Sequence, residues 1–289
     1  MAKYYFIIAG LPELSLEDHK LPFTVSEFLK EITPSLAKKD KKVIDLFCLK
    51  YDNGNLLQQL EYPDYDPDIR GCMTLDDFSE LIKRLKEEGI PTDNKDISPF
   101  YIEFIKTYLE AKEKNEKQLI PWEDQLSAFY YRYAMESRNK FVASWFELNL
   151  NINNMLAAIT ARTHNLDRHK YIVGDNEVAE NLRTSNARDF GLSVLVDYWP
   201  EIQRITEETD LFVREKKIDQ FKWNWLDEHS FFKYFEIDAI FSFIIKLDML
   251  QRWISLDKET GEKSFRELIG SMKQGSDTAL EEFKRNNIK

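Results

Sequence analysis

Two histidines and an aspartate that stand close together are the residues best suited to metal chemistry. His164, Asp167 and His169 supply two imidazoles and one carboxylate within a short polar stretch, and such groups bind transition metals. Histidines five residues apart do not share one face of a helix, so only a loop could bring all three onto one ion. A solvated connector explains the same residues, and we expect no metal site.

The other residues that could do chemistry form no recognisable catalytic arrangement. The motifs GxxxxGK(S/T), GxGxxG, HExxH and CxxC are absent, which excludes the usual phosphate-binding loops and zinc sites. Cys48 lies in an apolar helical stripe, and Cys72 lies in a turn without a histidine nearby to activate it. We predict no cofactor and no catalytic activity. The alternative is an enzyme whose site is assembled from scattered carboxylates and histidines, and it would need a deep pocket.

The composition favours a well-packed helical protein. Hydrophobic residues make up 43% of the 289 residues, and nine glycines and nine prolines are few for a β architecture with many turns. At roughly 150 residues per domain, this length suggests about two domains, with one or three also open. We therefore predict an all-α fold.

The charge distribution restricts the partners and the location. A formal net charge of −11 argues against nucleic acid or an anionic membrane surface as the main partner, because phosphate repels an acidic face. The most apolar window contains Asp238, Lys246, Asp248 and Arg252, which a lipid core would not tolerate. The short apolar run at Tyr4 to Ala9 is too brief for a secretory signal. We expect a cytoplasmic protein with reduced cysteines.

The stretch from Phe231 to Leu256 is predicted to be the helix around which the others pack. So wide an apolar face packs against two neighbours rather than one, which places the helix inside a helical assembly. Its apolar residues form two adjacent stripes at helical spacing, namely Ile237, Ile240, Ile244, Leu247 and Ile254 in the first and Phe241, Ile245, Met249 and Trp253 in the second.

A second periodic segment extends from Pro121 to Ile159, with a gap in the apolar spacing at Ser137. Its length suggests a bundle strut, a coiled-coil arm, or two helices with a break near Asn149 to Asn154. Asparagine is a poor residue for the middle of a helix unless its amide finds a partner.

Shorter elements are marked by capping and turn residues. Thr24 or Ser26 can cap a helix, and Asp52 to Gly54 (Asp-Asn-Gly) is predicted to be a turn. Tyr4 to Ala9 fits either a short buried strand or a helix. Glycines between Gly261 and Gly275 are predicted to punctuate a C-terminal pair of short helices.

Two groups of residues are candidates for partner contact. The first is a basic cluster after the long segment, which would complement a helix dipole or meet an acidic partner. The second is an aromatic cluster, which would fill a core or anchor an interface. The candidates are Arg162, Arg168 and Lys170 in the basic cluster and Trp223 and Trp225 in the aromatic one.

A weak internal repeat is visible. Phe146 to Asn149 and Phe235 to Asp238 have similar sequences 89 residues apart. Both are predicted to open a long apolar helix, which favours duplicated helical units.

Two segments resemble helices of the C/d subunit of V-type and A-type rotary ATPases. Glu147 to Arg162 (ELNLNINNMLAAITAR) is similar to a helix of that subunit that carries an acidic residue, an asparagine and a terminal arginine. Tyr234 to Trp253 (YFEIDAIFSFIIKLDMLQRW) resembles the equivalent helix near its C-terminus. Tyr4 to Pro12, with Pro22 to Ile32, resembles an uncharacterised bacterial family associated with V-type ATPase gene clusters. The N-terminal third matches the C/d subunit poorly.

The resemblance implies an all-helical funnel of three related bundles, which we assign to residues 1–115, 116–200 and 201–289. Such a subunit has no active site and couples the rotor shaft subunits to the membrane ring of proteolipid subunits. The chain would lie at the cytoplasmic face of the inner membrane and meet the membrane only through other subunits. The alternative is a helical adaptor with an unrelated protein partner.

Overall fold

The computed structural model describes residues 4–62, 65–87, 97–115 and 118–256, and these ranges are helical without strands. The predicted all-α fold is confirmed. The predicted C-terminal pair of helices lies outside the described residues. The helices are α1 (Tyr5–Ala9), α2 (Val25–Ile32), α3 (Lys38–Glu61), α4 (Leu75–Glu87), α5 (Pro99–Glu113), α6 (Trp122–Met135), α7 (Lys140–Thr163), α8 (Glu177–Thr184), α9 (Trp199–Thr206), α10 (Leu211–Ser230) and α11 (residues 237–256).

Helix α11 lies at the centre of the molecule, as its two apolar stripes predict. Phe243 packs on Phe28 of α2, and Phe241 packs on Phe141 and Phe146 of α7. Side chains of α3 and α10 also bond to it. Even the polar arc is partly enclosed, because Asp238 and Ser242 are buried. The helix therefore packs against four neighbours, more than the two that its apolar face requires.

Helix α11 is shorter than predicted. The chain leaves α10 at Ser230 and makes a turn over residues 231–236 before α11 begins at residue 237. Phe231 and Phe232 lie in this turn and are exposed. The prediction of one helix from Phe231 is therefore wrong, because a run of aromatic residues satisfies a helical pattern whether or not a neighbour covers it.

Helix α3 continues through residues that were predicted to form a turn. Asp52, Asn53 and Gly54 lie inside it, so the predicted turn is wrong. The tertiary structure overrides the turn propensity, because Asp52 is completely buried and accepts hydrogen bonds from the Cys72 and Met73 amides at 3.0 and 3.1 Å. A polar residue that favours turns is tolerated in a helix when its side chain is satisfied elsewhere.

The segment that begins at Pro121 forms two helices, but the break is not where the asparagines suggest. Helix α6 ends at Met135 and α7 begins at Lys140, next to the gap at Ser137. Within α7, Asn154 pairs with the backbone of Val173 at 2.7 and 2.8 Å. A break near Asn149 to Asn154 is thus wrong, since buried amide partners stabilise the helix there.

The two sequence-similar segments differ in position. Phe146 to Asn149 lies in the middle of α7, whereas Phe235 to Asp238 spans the start of α11. The expectation that both open a helix is therefore wrong. Core side chains form one cluster from Tyr4 to Trp253, which crosses both expected domain boundaries. The division into 1–115, 116–200 and 201–289 stays a prediction.

The chain's shorter elements follow their capping residues. Thr24 forms a complete capping box with Glu27 at the start of α2. Tyr4 to Ala9 is resolved in favour of a helix, since residues 5–9 form α1. Within the described ranges, none of the helices combines the length and the apolar character that crossing a membrane requires.

Candidate functional site

Six aromatic side chains stand exposed where α1 meets the turn before α11. Phe6 is 94% exposed and Phe232 is 85% exposed, which is unusual for side chains of this size. Monomeric proteins rarely leave contiguous apolar patches uncovered, and such patches mark binding sites. The aromatic surface, as we call it, consists of Tyr5, Phe6, Phe231, Phe232, Tyr234 and Phe235.

Tyr4 holds α1 in place beside the turn. Its amide donates to the Phe235 carbonyl at 2.8 Å, and its hydroxyl donates to Asp40 Oδ2 at 2.6 Å. The hydroxyl also accepts from the Ala37 amide at 3.2 Å. Burial, together with the hydrogen bond to Asp40, raises the pKa of Tyr4 to about 12. Because Tyr4 points inward, the next two side chains of α1 are left on the outside.

Backbone hydrogen bonds hold the turn before α11. Lys233 N donates to the Ser230 carbonyl at 2.8 Å, and Glu236 N donates to the Lys233 carbonyl at 3.1 Å. The rings of Phe231 and Phe232 meet edge to face with centroids 5.0 Å apart. Tyr5 and Phe235 lie closer, at 4.3 Å, and so join α1 to the turn. The aromatic side chains are thus held outward by bonded backbone, which suits a preorganised docking surface.

The structure brings the two arginines of the predicted basic cluster together over the Phe190 ring. Arg162 donates to the carbonyls of Arg188 and Ala187 at 2.6 and 2.9 Å and covers the Phe190 ring at 3.4 Å. Arg168 donates to the Arg183 carbonyl at 2.9 Å. Arg162 thereby ties the loop that follows α8 to the end of α7, and Arg168 ties α8 to the connector that follows α7.

Lys170 differs from the two arginines, because its side chain is exposed at the end of a short 3-10 helix, Arg168–Lys170. Its ammonium makes no hydrogen bond or ion pair to any residue the structure describes. Of the basic candidates, it is the one whose charge is open to a partner. Contact by this cluster stays a prediction.

The predicted tryptophans lie in α10 and contact other parts of the chain. Trp223 is buried, and the Lys246 ammonium lies 4.9 Å from its ring centroid. Trp225 stacks between Phe141 and His229, with centroids 5.6 and 4.0 Å away. Neither tryptophan belongs to the aromatic surface, and their role in partner contact stays a prediction.

A charged cluster on α11 joins three elements. Asp248 accepts hydrogen bonds from Lys50 Nζ at 2.5 Å and from the Tyr51 hydroxyl, and it lies 3.5 Å from Arg70. Burial lowers the pKa of Lys50, although the Asp248 carboxylate opposes this shift. The hydrogen bonds engage both carboxylate oxygens, so the cluster acts as an internal clamp between α3, the loop before α4, and α11.

Groups with metal-binding or nucleophilic potential are scattered or engaged. In the parts of the chain that the structure describes, no three His, Cys, Asp or Glu side chains are grouped to hold a metal ion. His164 and His169 are exposed, and Asp167 accepts a hydrogen bond from the His169 amide at 3.2 Å. Cys48 is buried and Cys72 is exposed, and a hydrogen bond with Cys48 raises the pKa of the Cys72 thiol. A raised pKa disfavours the nucleophilic thiolate.

A family model described as "protein of unknown function (DUF2764)" matches residues 1–276. The chain belongs to this family. Neither the curated proteins nor the solved structures compared with the chain gave a match. The described fold of this DUF2764 member is all-helical and leaves the aromatic surface exposed.

Sequence reasoning missed the aromatic surface in this DUF2764 member. The sequence pattern places Phe231 and Phe232 inside the predicted central helix. It leaves Phe6 in a segment that fits either a strand or a helix. The spacing held no signal that could have found them, because adjacent apolar residues are also buried together in α11, as Ile244 and Ile245 are. The tertiary structure was needed to place α1 beside the turn.

Proposed function

We propose that the chain is a non-catalytic connector subunit of a V/A-type rotary ATPase, coupling the rotor shaft to the membrane proteolipid ring. The observation that carries the proposal is the aromatic surface, because six exposed rings on a helical body need a protein partner to cover them. The resemblance of two segments to the C/d subunit indicates that the partners are the rotor shaft subunits and the proteolipid ring.

The helices that carry the two resembling segments pack against each other, which supports treating them as one unit. Glu147 to Arg162 lies in α7, and Tyr234 to Trp253 includes nearly all of α11. Phe241 meets Phe146, the residue before the first segment, with ring centroids 6.2 Å apart. The second segment begins inside the aromatic surface, at Tyr234. Close-packed helices of this kind transmit force with little deformation.

The location follows from the same proposal. A connector of this type lies at the cytoplasmic face of the inner membrane and meets lipid only through the ring. Lys170, whose charge is open, would be available to an acidic subunit.

The test is recovery of partners from native membranes. The affinity-tagged full chain is expected to bring down the rotor shaft subunits and the proteolipid ring. The double variant Phe6→Ser, Phe232→Ser is expected to lose most of this recovery, because exposed aromatic anchors dominate interface energies. Val194→Ser is the matched control, since Val194 is 98% exposed and lies outside the aromatic surface. Recovery of neither partner by the wild-type chain would refute the proposal.

A second candidate is a helical adaptor for an unrelated protein. The aromatic surface favours it equally, because exposed rings require a partner but do not name one. Recovery of a different protein that depends on Phe6 and Phe232, without the shaft and the ring, would select the adaptor.

A further inference from the structure

A cleft of about 930 Å³ opens beside the aromatic surface. It is bounded by the first turns of α3, by the connection between α6 and α7, and by the turn before α11. The turn is shared, because Lys233 and Glu236 line the cleft while Tyr234 and Phe235 belong to the aromatic surface. The two features therefore form one continuous face of the molecule.

The lining of the cleft has a small excess of cationic side chains, although the protein as a whole is strongly acidic. Five cationic and four acidic side chains line it, whereas the whole chain carries −11. The helices α3, α7 and α11 also begin at its walls and direct the positive ends of their dipoles there. The cationic residues are Lys39, Lys42, Arg138, Lys140 and Lys233, and the acidic residues are Asp40, Glu136, Glu236 and Asp238.

Two of the acids are satisfied from within the chain. Asp40 is buried and accepts the hydrogen bond from Tyr4. Asp238 is buried, accepts from Asn139 Nδ2 at 2.5 Å and lies 3.6 Å from Lys233 Nζ. These hydrogen bonds satisfy the two buried carboxylates without cancelling their charge, and Asp238 shares Lys233 with Glu236.

Four of the cations have no such partner. Lys39, Lys42, Arg138 and Lys140 are exposed, and none of them forms a side-chain hydrogen bond or ion pair with a residue in the described ranges. Glu136 is the exposed carboxylate of the lining, whereas Asp40 and Asp238 are buried and Glu236 lies half-buried beside Lys233. The exposed charges of the cleft are therefore four cations and one anion. Such an excess attracts a complementary acidic surface and accelerates its encounter.

We propose that this basic cleft receives an acidic segment of the protein partner that covers the aromatic surface. The inference rests on the proposed docking function and names the chemistry of the partner. Continuity of the two features favours one macromolecule over a small anion, because a single partner can cover the rings and pair with the cations. Exposed lysines spread over two helices suit the carboxylates of a flexible segment, whereas a small polyanion needs converging donors.

The test uses the purified full-length chain and fluorescein-labelled oligoglutamate, with labelled oligolysine as the charge control. The cleft variant is Lys39→Glu, Lys42→Glu, Lys140→Glu. It is expected to fold, because Lys39 and Lys140 stand in first helical turns, where an added carboxylate stabilises the helix. The matched control is Lys30→Glu, Lys83→Glu, Lys86→Glu, which makes the same change of charge outside the cleft.

The wild-type chain is expected to bind oligoglutamate with an affinity that falls as salt rises. The cleft variant should bind roughly tenfold more weakly or worse, and the control variant should bind like the wild type. An equal loss of affinity in both variants would show that binding depends only on the net charge of the protein. That result would overturn the inference. Binding of inorganic triphosphate in place of oligoglutamate would also overturn it, in favour of a small-anion site.

The membrane pull-down separates this inference from the function on which it rests. If the cleft variant recovers the shaft and the ring as well as the wild type does, the cleft inference fails while the connector proposal stands. If the wild-type chain recovers neither but binds oligoglutamate through the cleft, the connector proposal fails and the acidic segment belongs to another partner.

Discussion

The Tyr4 hydroxyl lies 2.6 Å from Oδ2 of Asp40 and fixes the first helix of the chain to the start of α3. Both residues are buried, so the hydrogen bond is shielded from water. Through it, a residue near the N-terminus sets the position of Phe6 on the aromatic surface and satisfies a buried carboxylate in one wall of the basic cleft.

Removal of this hydroxyl tests the anchor. Tyr4→Phe is expected to lower the free energy of unfolding by about 1–2 kcal/mol, because the buried Asp40 carboxylate loses its donor. Hydrogen exchange of α1 should rise as well. Tyr62→Phe is the control, because the Tyr62 side chain is 66% exposed and its hydroxyl has no hydrogen bond within the described structure. Equal effects in denaturant titrations would show that the hydroxyl anchors nothing.

Substitution by alanine is predicted to have opposite effects on protein stability at two glycines. Gly54 lies inside α3 with nothing within 4 Å of an added Cβ, so Gly54→Ala should stabilise the protein by about 0.5–1 kcal/mol. At Gly71, an added Cβ would lie 2.2 Å from Asp52 Oδ1. Gly71→Ala should therefore destabilise by about 1–3 kcal/mol. Thermal unfolding of both variants checks this, and a shift in the same direction for both would contradict it.

The buried carboxyl group of Asp52 predicts how the stability of the protein depends on pH. Burial raises its pKa from 3.8 to about 6, although the Cys72 and Met73 amides oppose the shift. Because the folded state holds the proton more tightly, the resulting stabilisation is complete below pH 3.8 and is lost as the pH rises through 6. Between pH 7 and pH 4, the wild type should gain about 2 kcal/mol relative to Asp52→Asn. Unfolding curves of the two proteins that run parallel across this range would exclude this role for Asp52.

Loss of the negative charge of Asp248 should lower the stability of the protein. Asp248→Asn removes the common partner of Lys50 and Arg70 and is expected to cost about 1–3 kcal/mol of stability. Asp227→Asn is the control, because Asp227 pairs with Lys246 but is 58% exposed, and it should cost under about 1 kcal/mol. Urea denaturation measures both, and a cost at position 248 no larger than at 227 would rule out a clamp.

The sequence by itself determined the helical class and the central helix, and it narrowed the cap of α2 to Thr24 or Ser26. These features are local: the apolar stripes of α11 repeat at helical spacing, and Thr24 and Glu27 cap α2 within four residues of chain. Any tertiary arrangement that buries the stripes would preserve them.

Only the tertiary structure decided where the helices break and which aromatic side chains remain outside. Helix α3 continues through Gly54 because distant amides satisfy Asp52, and α7 continues through Asn154 because Val173 pairs with it. Phe232 stays exposed because the backbone turns before α11 and no described element covers it. Contacts between residues distant in sequence leave no periodic trace in the chain, so composition and spacing could not reveal them.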